Sequence, residues 1–260
     1  MDILSDEFGK VDKVNLIANL SNSGYAAGNN LGLRLAYSEG CDKLLVSNSD
    51  IIFNQGTIDN IINFYEKNPD VKIVSPKIIN NDGSDGTTII SDLNVGDYYY
   101  NKLLPTKLVK KRKIKKANVT TNDRDNTINF EGMSSGCCFS MDSHFFNEID
   151  YFDEGTFLYY EEAILARKLK LKKQRTTILE NASVIHKHTM TKKNYQTPTG
   201  AISVCHSLLY FQAKYHNTPK ITLWLIFMPH LFRYIVRSIS NKEYRENFNR
   251  FIEKCLEVIK

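Results

Sequence analysis

The chain is poor in the features that mark several large classes of protein. Its five cysteines, Cys41, Cys137, Cys138, Cys205 and Cys255, are odd in number over 260 residues and form no C-x-x-C pair. That spacing excludes the common zinc frameworks and argues against a disulfide scaffold, so the residues read as thiols, mostly in the core, of a reducing compartment. No apolar run reaches the roughly 18 residues of a spanning helix. The opening Met-Asp-Ile-Leu-Ser-Asp-Glu carries acid where a signal peptide carries base, which makes the cytoplasm the expected location. Internal repeats and low-complexity tracts are absent, which excludes solenoids and long linkers. A net charge of +5 suits an anionic substrate or an anionic membrane surface, but falls short of a dedicated nucleic-acid binder. The basic run at 107–116, Lys-Leu-Val-Lys-Lys-Arg-Lys-Ile-Lys-Lys, reads as a solvated loop or a patch facing anionic lipid, and nucleic acid is not an expected partner.

What is present is enough hydrophobic sequence, 42%, to bury a full core. Residues 14–18 read as a buried strand, after which the turn from Gly24 to Gly28 launches a helix through Leu31, Leu35 and Ala36. Residues 43–47 form a second strand. Thr57 can cap a helix carrying Ile58, Ile61, Ile62 and Tyr65 that stops before Pro69, and 71–75 make a third strand. Strand and helix alternating at this pitch predict an α/β fold with a mostly parallel sheet. The pattern weakens over 80–129, which reads as an insertion across one face. Order returns with a strand at 137–141, a helix from Asp142, an aromatic stretch at 151–160, a helix at 161–172 and short strands at 176–179 and 183–186. Beyond Pro198 helices are expected at about 201–215, 221–239 and 242–259. The division that results is an α/β domain over 1–198 and a helical region over 199–260.

Several residues stand where chemistry is usually done. Asp50 closes the apolar strand Leu44-Leu-Val-Ser-Asn48-Ser-Asp50, a placement that puts a carboxylate, and with it a metal ligand, at the carboxyl edge of a sheet. Glu161 and Glu162 open a helix, where the backbone dipole favours an ionised carboxylate. Neighbours on a helix point about 100° apart, so one of the two can face a substrate. Gly24 and Gly28 permit positive φ or close approach at a strand-to-helix turn, and the helix amino end, with Asn29 and Asn30, can face an anion. Ser135 and Gly136 could admit a ligand to the backbone or begin a buried strand. His186 ends a strand and could ligate metal when neutral or pair with phosphate when protonated; His188 is a weaker candidate. Tyr98, Tyr99, Tyr100, Phe157, Tyr159 and Tyr160 could stack on sugar rings or pack in the core.

Asn22-Ser-Gly24-Tyr-Ala-Ala-Gly28-Asn29-Asn30, Asn48-Ser-Asp50, Ser135-Gly136, Phe152-Asp153-Glu154, Tyr160-Glu161-Glu162 with Leu165, and Val184-Ile-His186 occur in the order and spacing of family 2 glycosyltransferases. Over about 14–188 the chain resembles their rhamnosyltransferase-like, bacterial polysaccharide branch. The resemblance implies a GT-A fold, a nucleotide-diphosphate sugar donor, a divalent metal such as Mn²⁺ or Mg²⁺, and inversion by direct displacement onto a glycan or lipid-linked acceptor. It assigns Asn22, Gly24, Gly28, Asn29, Asn30, Asn48 and Asp50 to the donor, with Asp50 and His186 at the metal. Lys168 and His186 fall to the diphosphate, Ser135, Gly136 and Tyr160 to the acceptor, Glu162 becomes the base, and Glu161 orients the acceptor or caps the helix. A hard dication held by a carboxylate suits a diphosphate leaving group.

The chain departs from that pattern in places. Asn48 stands where the family's D-x-D-like motif has its first acid, Lys168 where Arg is frequent, and Ala163 where an acid is frequent. Relatives begin with two further strands that hold base and ribose. These do not precede residue 14, so a sheet lacking its N-terminal strands is implied, with the missing pair between 14–18 and 43–47. Met1 as an internal start in a longer reading frame is the favoured explanation, and an inactive remnant is the alternative function. Residues 221–239 are strongly apolar, interrupted by Pro229 and ending near Arg233 and Arg237. They could lie in a membrane interface at the inner face of the cell membrane, or pack against the catalytic domain or a second subunit.

Overall fold

The computed structural model describes residues 2–97, 117–187 and 197–260. The basic run at 107–116, Tyr98, Tyr99, Tyr100 and His188 lie outside the described residues. After a short helix α1 (Asp2–Phe8), the chain builds α2 (Tyr25–Ser38), β1 (Lys43–Ser47), β2 (Ile51–Phe53), α3 (Thr57–Lys67) and β3 (Ile73–Asn80). It continues with β4 (Thr120–Asn122), β5 (Thr127–Phe130), β6 (Cys138–Asp142), α4 (Ser143–Glu148), α5 (Glu161–Leu171) and β7 (Thr176–His186). Four helices close it: α6 (Pro198–His216), α7 (Lys220–Ser240), α8 (Lys242–Glu246) and α9 (Phe248–Ile259).

One seven-stranded sheet runs in the order β1-β6-β3-β7-β5-β4, with β2 paired to β7. The α/β class expected from the sequence is present, but the mostly parallel sheet is instead mixed in its pairing. β3 and β7 pair in parallel, and all other pairs are antiparallel. The helical crossover through α3 forces β1 and β3 to run the same way. β6 arrives from an irregular segment under no such constraint, and inserts between them in the opposite direction.

The strand expected at 14–18 does not form. The segment is irregular and open to solvent, with Val14 39%, Ile17 44% and Leu20 100% exposed. A strand is stable only in a ladder, and no described residue pairs with it. The third strand is longer than 71–75 suggests, because the ladder passes through Pro76, with a register shift between Pro76 and Lys77. A proline is tolerated in a ladder at such an irregularity. The two short strands expected at 176–179 and 183–186 are the ends of β7, which pairs with β5 at its start and β2 at its end.

Alternation along the strands divides the core. Ile73 joins Leu44, Val46, Phe139 and Met141 beneath α2, α4 and α5, while Val74 points the other way, to Ile61 and Tyr65 of α3. The C-terminal helices carry a second core around Tyr234, Phe251 and Phe227, with Tyr234 and Phe251 stacked at 4.1 Å. Thr197 caps α6 by accepting from the Gly200 N–H.

Two buried aspartates join α6 to the α/β layer. Asp153 accepts from Tyr210 and Lys214 at 2.9 and 2.8 Å and from Tyr215. Asp92 lies 3.1 Å from both Arg167 and Lys170 and 2.9 Å from His216. Burial alone would raise each carboxyl. The cationic and hydroxyl donors outweigh it and bring both down to about 2. An aspartate titrates near 3.9 in an unfolded chain, so the stability contributed by these groups is present above about pH 4 and lost as pH falls towards 2. Urea denaturation is expected to show stability dropping through that window. Asp92→Asn with Asp153→Asn should be less stable at neutral pH and show a shallower acid loss; an unchanged acid slope would refute the assignment.

Candidate functional site

Because β1 and β7 run the same way, their carboxyl ends meet at one edge of the sheet, and β6 begins at that edge through the pairing of Ser47 with Cys138. The turn after β1 is pinned there: the Asn48 N–H donates to the Cys137 carbonyl at 2.8 Å. The chain then reverses into β2, whose Ile51 pairs with His186, and the Lys187 N–H donates to the Asp50 carbonyl at 3.0 Å. This register brings Asp50 Oδ2 to 3.3 Å from His186 Nε2. A carboxylate and an imidazole far apart in sequence thus form one pair at the sheet edge.

A second group closes on the same loop. The Gly136 N–H donates to Glu162 Oε1 at 3.0 Å, and the Gly136 carbonyl accepts from the Tyr25 hydroxyl at 2.7 Å. A Cβ at 136 would lie 2.7 Å from that carboxylate oxygen, so the approach requires glycine. Gly24 is needed for a different reason. Its φ is +94°, and a Cβ there would sit 2.2 Å from the Phe157 carbonyl, which accepts from the Tyr25 N–H at 3.1 Å.

Between the two groups sits Cys137, 5% exposed, with the Ser135 hydroxyl 3.3 Å from its sulfur. Burial pushes its thiol up, and the charges of Glu162 and Asp50 push it further, which places both carboxylates around one side chain. The sequence reading put Cys137 among core thiols; only its adjacency to Ser135-Gly136 could have singled it out. Tyr25 was likewise missed, although it lies inside the Gly24 to Gly28 motif. Its phenol is raised first by burial and then by Glu162 and Glu161.

Glu161 and Glu162 are aimed by a strained turn. Tyr159 and Tyr160 are consecutive non-glycine residues with φ of +71° and +73°, a conformation that costs on the order of 1–3 kcal/mol per residue and persists only when neighbours fix it. The Ser207 hydroxyl holds the Leu158 carbonyl at 2.9 Å, and Tyr160 packs on Phe211 at 5.8 Å. Glu161 is buried at 6% exposure, and burial, with a contribution from the Glu162 charge, raises its carboxyl to about 7. Glu162 is only partly buried.

The structure therefore gathers Gly24, Asn48, Asp50, Ser135, Gly136, Glu161, Glu162 and His186. Asn22 is exposed and shapes the turn by accepting from the Gly24 N–H at 3.2 Å, while Asn29 donates to the Tyr25 carbonyl at 2.8 Å within α2. Three expectations change. Asn30 is fully buried and holds the Phe152 peptide from both sides and Glu154 at 2.7 Å, so its amide is occupied by the fold instead of a donor. Gly28 lies inside α2 rather than in a turn, and a Cβ there would meet open space, so neither positive φ nor crowding explains it. Lys168 donates to the carbonyls of Ile149, Asp150 and Tyr151 at 2.8, 3.1 and 2.8 Å. Its ammonium pairs the three carbonyls of this turn, and is not directed to a phosphate. Among the described residues no group of three or more His, Cys, Asp or Glu could hold a metal by itself.

No family model matches the chain. In sequence it is similar to the low-salt glycan biosynthesis hexosyltransferase Agl10 of Haloferax volcanii, 27% identical over 160 residues that cover 58% of this chain and 44% of that protein. In structure it is similar to GalNAc-T7, crystallised with UDP, GalNAc and Mn²⁺, with a TM-score of 0.54 and 14% identity over 81% of this chain and 39% of that one. The mannosyltransferase PcManGT from Pyrobaculum calidifontis, in complex with GDP-Man and Mn²⁺, gives a TM-score of 0.45 and 13% identity over 94% of this chain and 68% of that one. The matches cover less than half the length of Agl10 and of GalNAc-T7. The likeness to GalNAc-T7 shows the fold, an α/β architecture of the GT-A kind.

Lys168→Met tests the reassignment of that lysine. Loss of three charge-assisted bonds is expected to lower unfolding stability by roughly 1.5–3 kcal/mol. A variant with wild-type unfolding would overturn the reassignment.

Proposed function

We propose that this chain carries the site of an inverting glycosyltransferase of the family 2 type, which moves a sugar from a nucleotide-diphosphate donor to a glycan or lipid-linked acceptor with the help of a divalent metal. The observation that carries the reading is the convergence of the Asp50–His186 pair and Glu162 on the Gly136-Cys137 loop at the carboxyl edge of the sheet. The sequence likeness to a hexosyltransferase supports the same chemistry.

Asp50 and His186 suit a divalent cation in the nature of their donor atoms, one hard carboxylate oxygen and one imidazole nitrogen. Two donors from the chain leave the remaining positions to the diphosphate and water, which makes metal affinity dependent on the nucleotide. When bound, the cation supplies positive charge to a diphosphate leaving group. Asn48, beside Asp50, offers a neutral amide to the same region.

Glu162 acts as base. The acceptor hydroxyl oxygen bonds to the anomeric carbon, the bond from that carbon to the diphosphate oxygen breaks with its electron pair leaving on the diphosphate, and the hydroxyl proton passes to the Glu162 carboxylate. The bond from Gly136 fixes Glu162 Oε1 and leaves Oε2 as the oxygen available to the acceptor. Ser135, the Gly136 peptide and Tyr160 line the acceptor side, while the Asn22-Ser-Gly24 turn and the start of α2, with Asn29, lie on the donor side. Glu161, expected to orient the acceptor or cap the helix, is instead turned into the core at 6% exposure, so acceptor contact falls to Glu162. A lipid-linked acceptor would bring this reaction to a membrane surface.

Calorimetric titration with UDP, GDP and dTDP, with and without Mn²⁺, tests the donor site. Binding is expected to one nucleotide, to strengthen with Mn²⁺, and to lose that metal dependence in Asp50→Ala. Absence of binding to all three by the folded chain would overturn the reading. Turnover tests the base: Glu162→Gln, which can still accept from Gly136, is expected to lower kcat by about 10²–10⁴ with nucleotide affinity unchanged. Wild-type turnover in that variant would remove Glu162 from the role.

A further inference from the structure

α7 has two apolar faces, and the structure uses one. Leu223, Ile226, Phe227 and Tyr234 are buried in the helical core. On the opposite side Ile221, Leu225, Met228, Phe232, Ile235 and Ile239 are between 42% and 76% exposed. At 100° per residue these six fall within an arc of about 80°, and the stripe runs about 27 Å along the axis. Trp224 and Val236, at 40% and 48% exposure, widen it on either side. Scattered apolar residues on a surface need no explanation, but a continuous stripe of this size marks an interaction site.

The charge around the stripe identifies what it meets. Residues 220–240 contain Lys220, Arg233 and Arg237 and no acid at all, with Lys220 and Arg233 about 100–120° round the helix on either side of the stripe, whereas in α8 Lys242 and Arg245 are balanced by Glu243 and Glu246. A second copy docked on this face would set the uncompensated cations of one α7 against those of the other. An anionic lipid surface meets the same features without conflict: the apolar stripe enters the acyl boundary and the flanking cations meet headgroup phosphates. No helix of the described residues is long and apolar enough to cross a membrane, so α7 would lie in the plane of the interface. Pro229 is exposed within the helix, where it leaves the buried packing face untouched.

We infer that the outer face of α7 is a membrane-docking surface that holds the protein flat on anionic lipid. The inference deepens the transferase reading by supplying a site of contact with a lipid-linked acceptor's membrane, yet it stands on the helix alone. It is tested by flotation with vesicles of equimolar phosphatidylcholine and phosphatidylglycerol, and with phosphatidylcholine alone, in the absence of nucleotide and sugar. Failure here would therefore leave the donor-site titration untouched. The full chain is expected to float with the anionic vesicles and to bind them less as salt rises. Leu225→Glu with Phe232→Glu, both at exposed positions, should bind at least about tenfold more weakly with unchanged thermal unfolding. Absence of flotation, flotation unaffected by the double variant, or a concentration-dependent dimer in light scattering that the double variant abolishes would each overturn the inference.

Discussion

The peptide of Gly136 is bonded on both sides, and the arrangement of the site depends on it. Its N–H fixes Glu162 at the start of α5, and its carbonyl fixes Tyr25 at the start of α2. Tyr25 in turn places its own N–H on Phe157, two residues before the strained Tyr159-Tyr160 turn. One residue beyond Gly136, the Cys137 carbonyl receives Asn48. Three segments that are remote in sequence are therefore indexed to a single loop. A side chain at 136 would push the Glu162 carboxylate away and so break the bond that fixes it.

Three buried acids show how surroundings separate structural from chemical roles. Asp92 and Asp153 are each wrapped by cationic or hydroxyl donors supplied largely by α5 and α6, and both are held at about 2. They are ionised at any working pH and act as anchors. Glu161 has no cation beside it among the interactions that set its ionisation, only burial and the neighbouring Glu162, and it rises to about 7. The anchors also serve the site at a distance. Asp153 and Ser207 bind α6 to the loop that ends in Tyr159 and Tyr160, so the helical region supplies part of the restraint that keeps two tyrosines left-handed.

Much of this was legible in the sequence. Apolar spacing located α2, α3, α5 and β1, and the carboxylate after β1 and the paired acids at the start of α5 stood out only as members of an ordered set of motifs, since either alone reads as an ordinary turn or helix start. What was not legible depends on contacts between distant segments. Residues 14–18 have the composition of a strand, but strand formation needs a partner that a local pattern cannot report. Lys168 has the charge expected of a phosphate ligand. Its partners are three carbonyls of a turn that becomes visible only when the chain folds. Asn30 sits in a motif with Asn29, yet one residue of helix rotation carries its amide into the core. The mixed sheet escaped detection because β6 carries the same apolar signal in either direction.

The Glu161-Glu162 pair resolves a conflict built into the proposed chemistry. A base that takes a proton from a hydroxyl must be charged, and a second carboxylate on the adjacent residue opposes that charge. The helix separates the two side chains by about 100°, sending one into the core and the other to Gly136. Burial then makes the protonated form of Glu161 accessible near neutral pH, so the pair can carry one charge instead of two. The Gly136 N–H and the amino end of α5 both face Glu162. The same two residue types, one position apart, thereby acquire different roles from the direction in which the backbone points them.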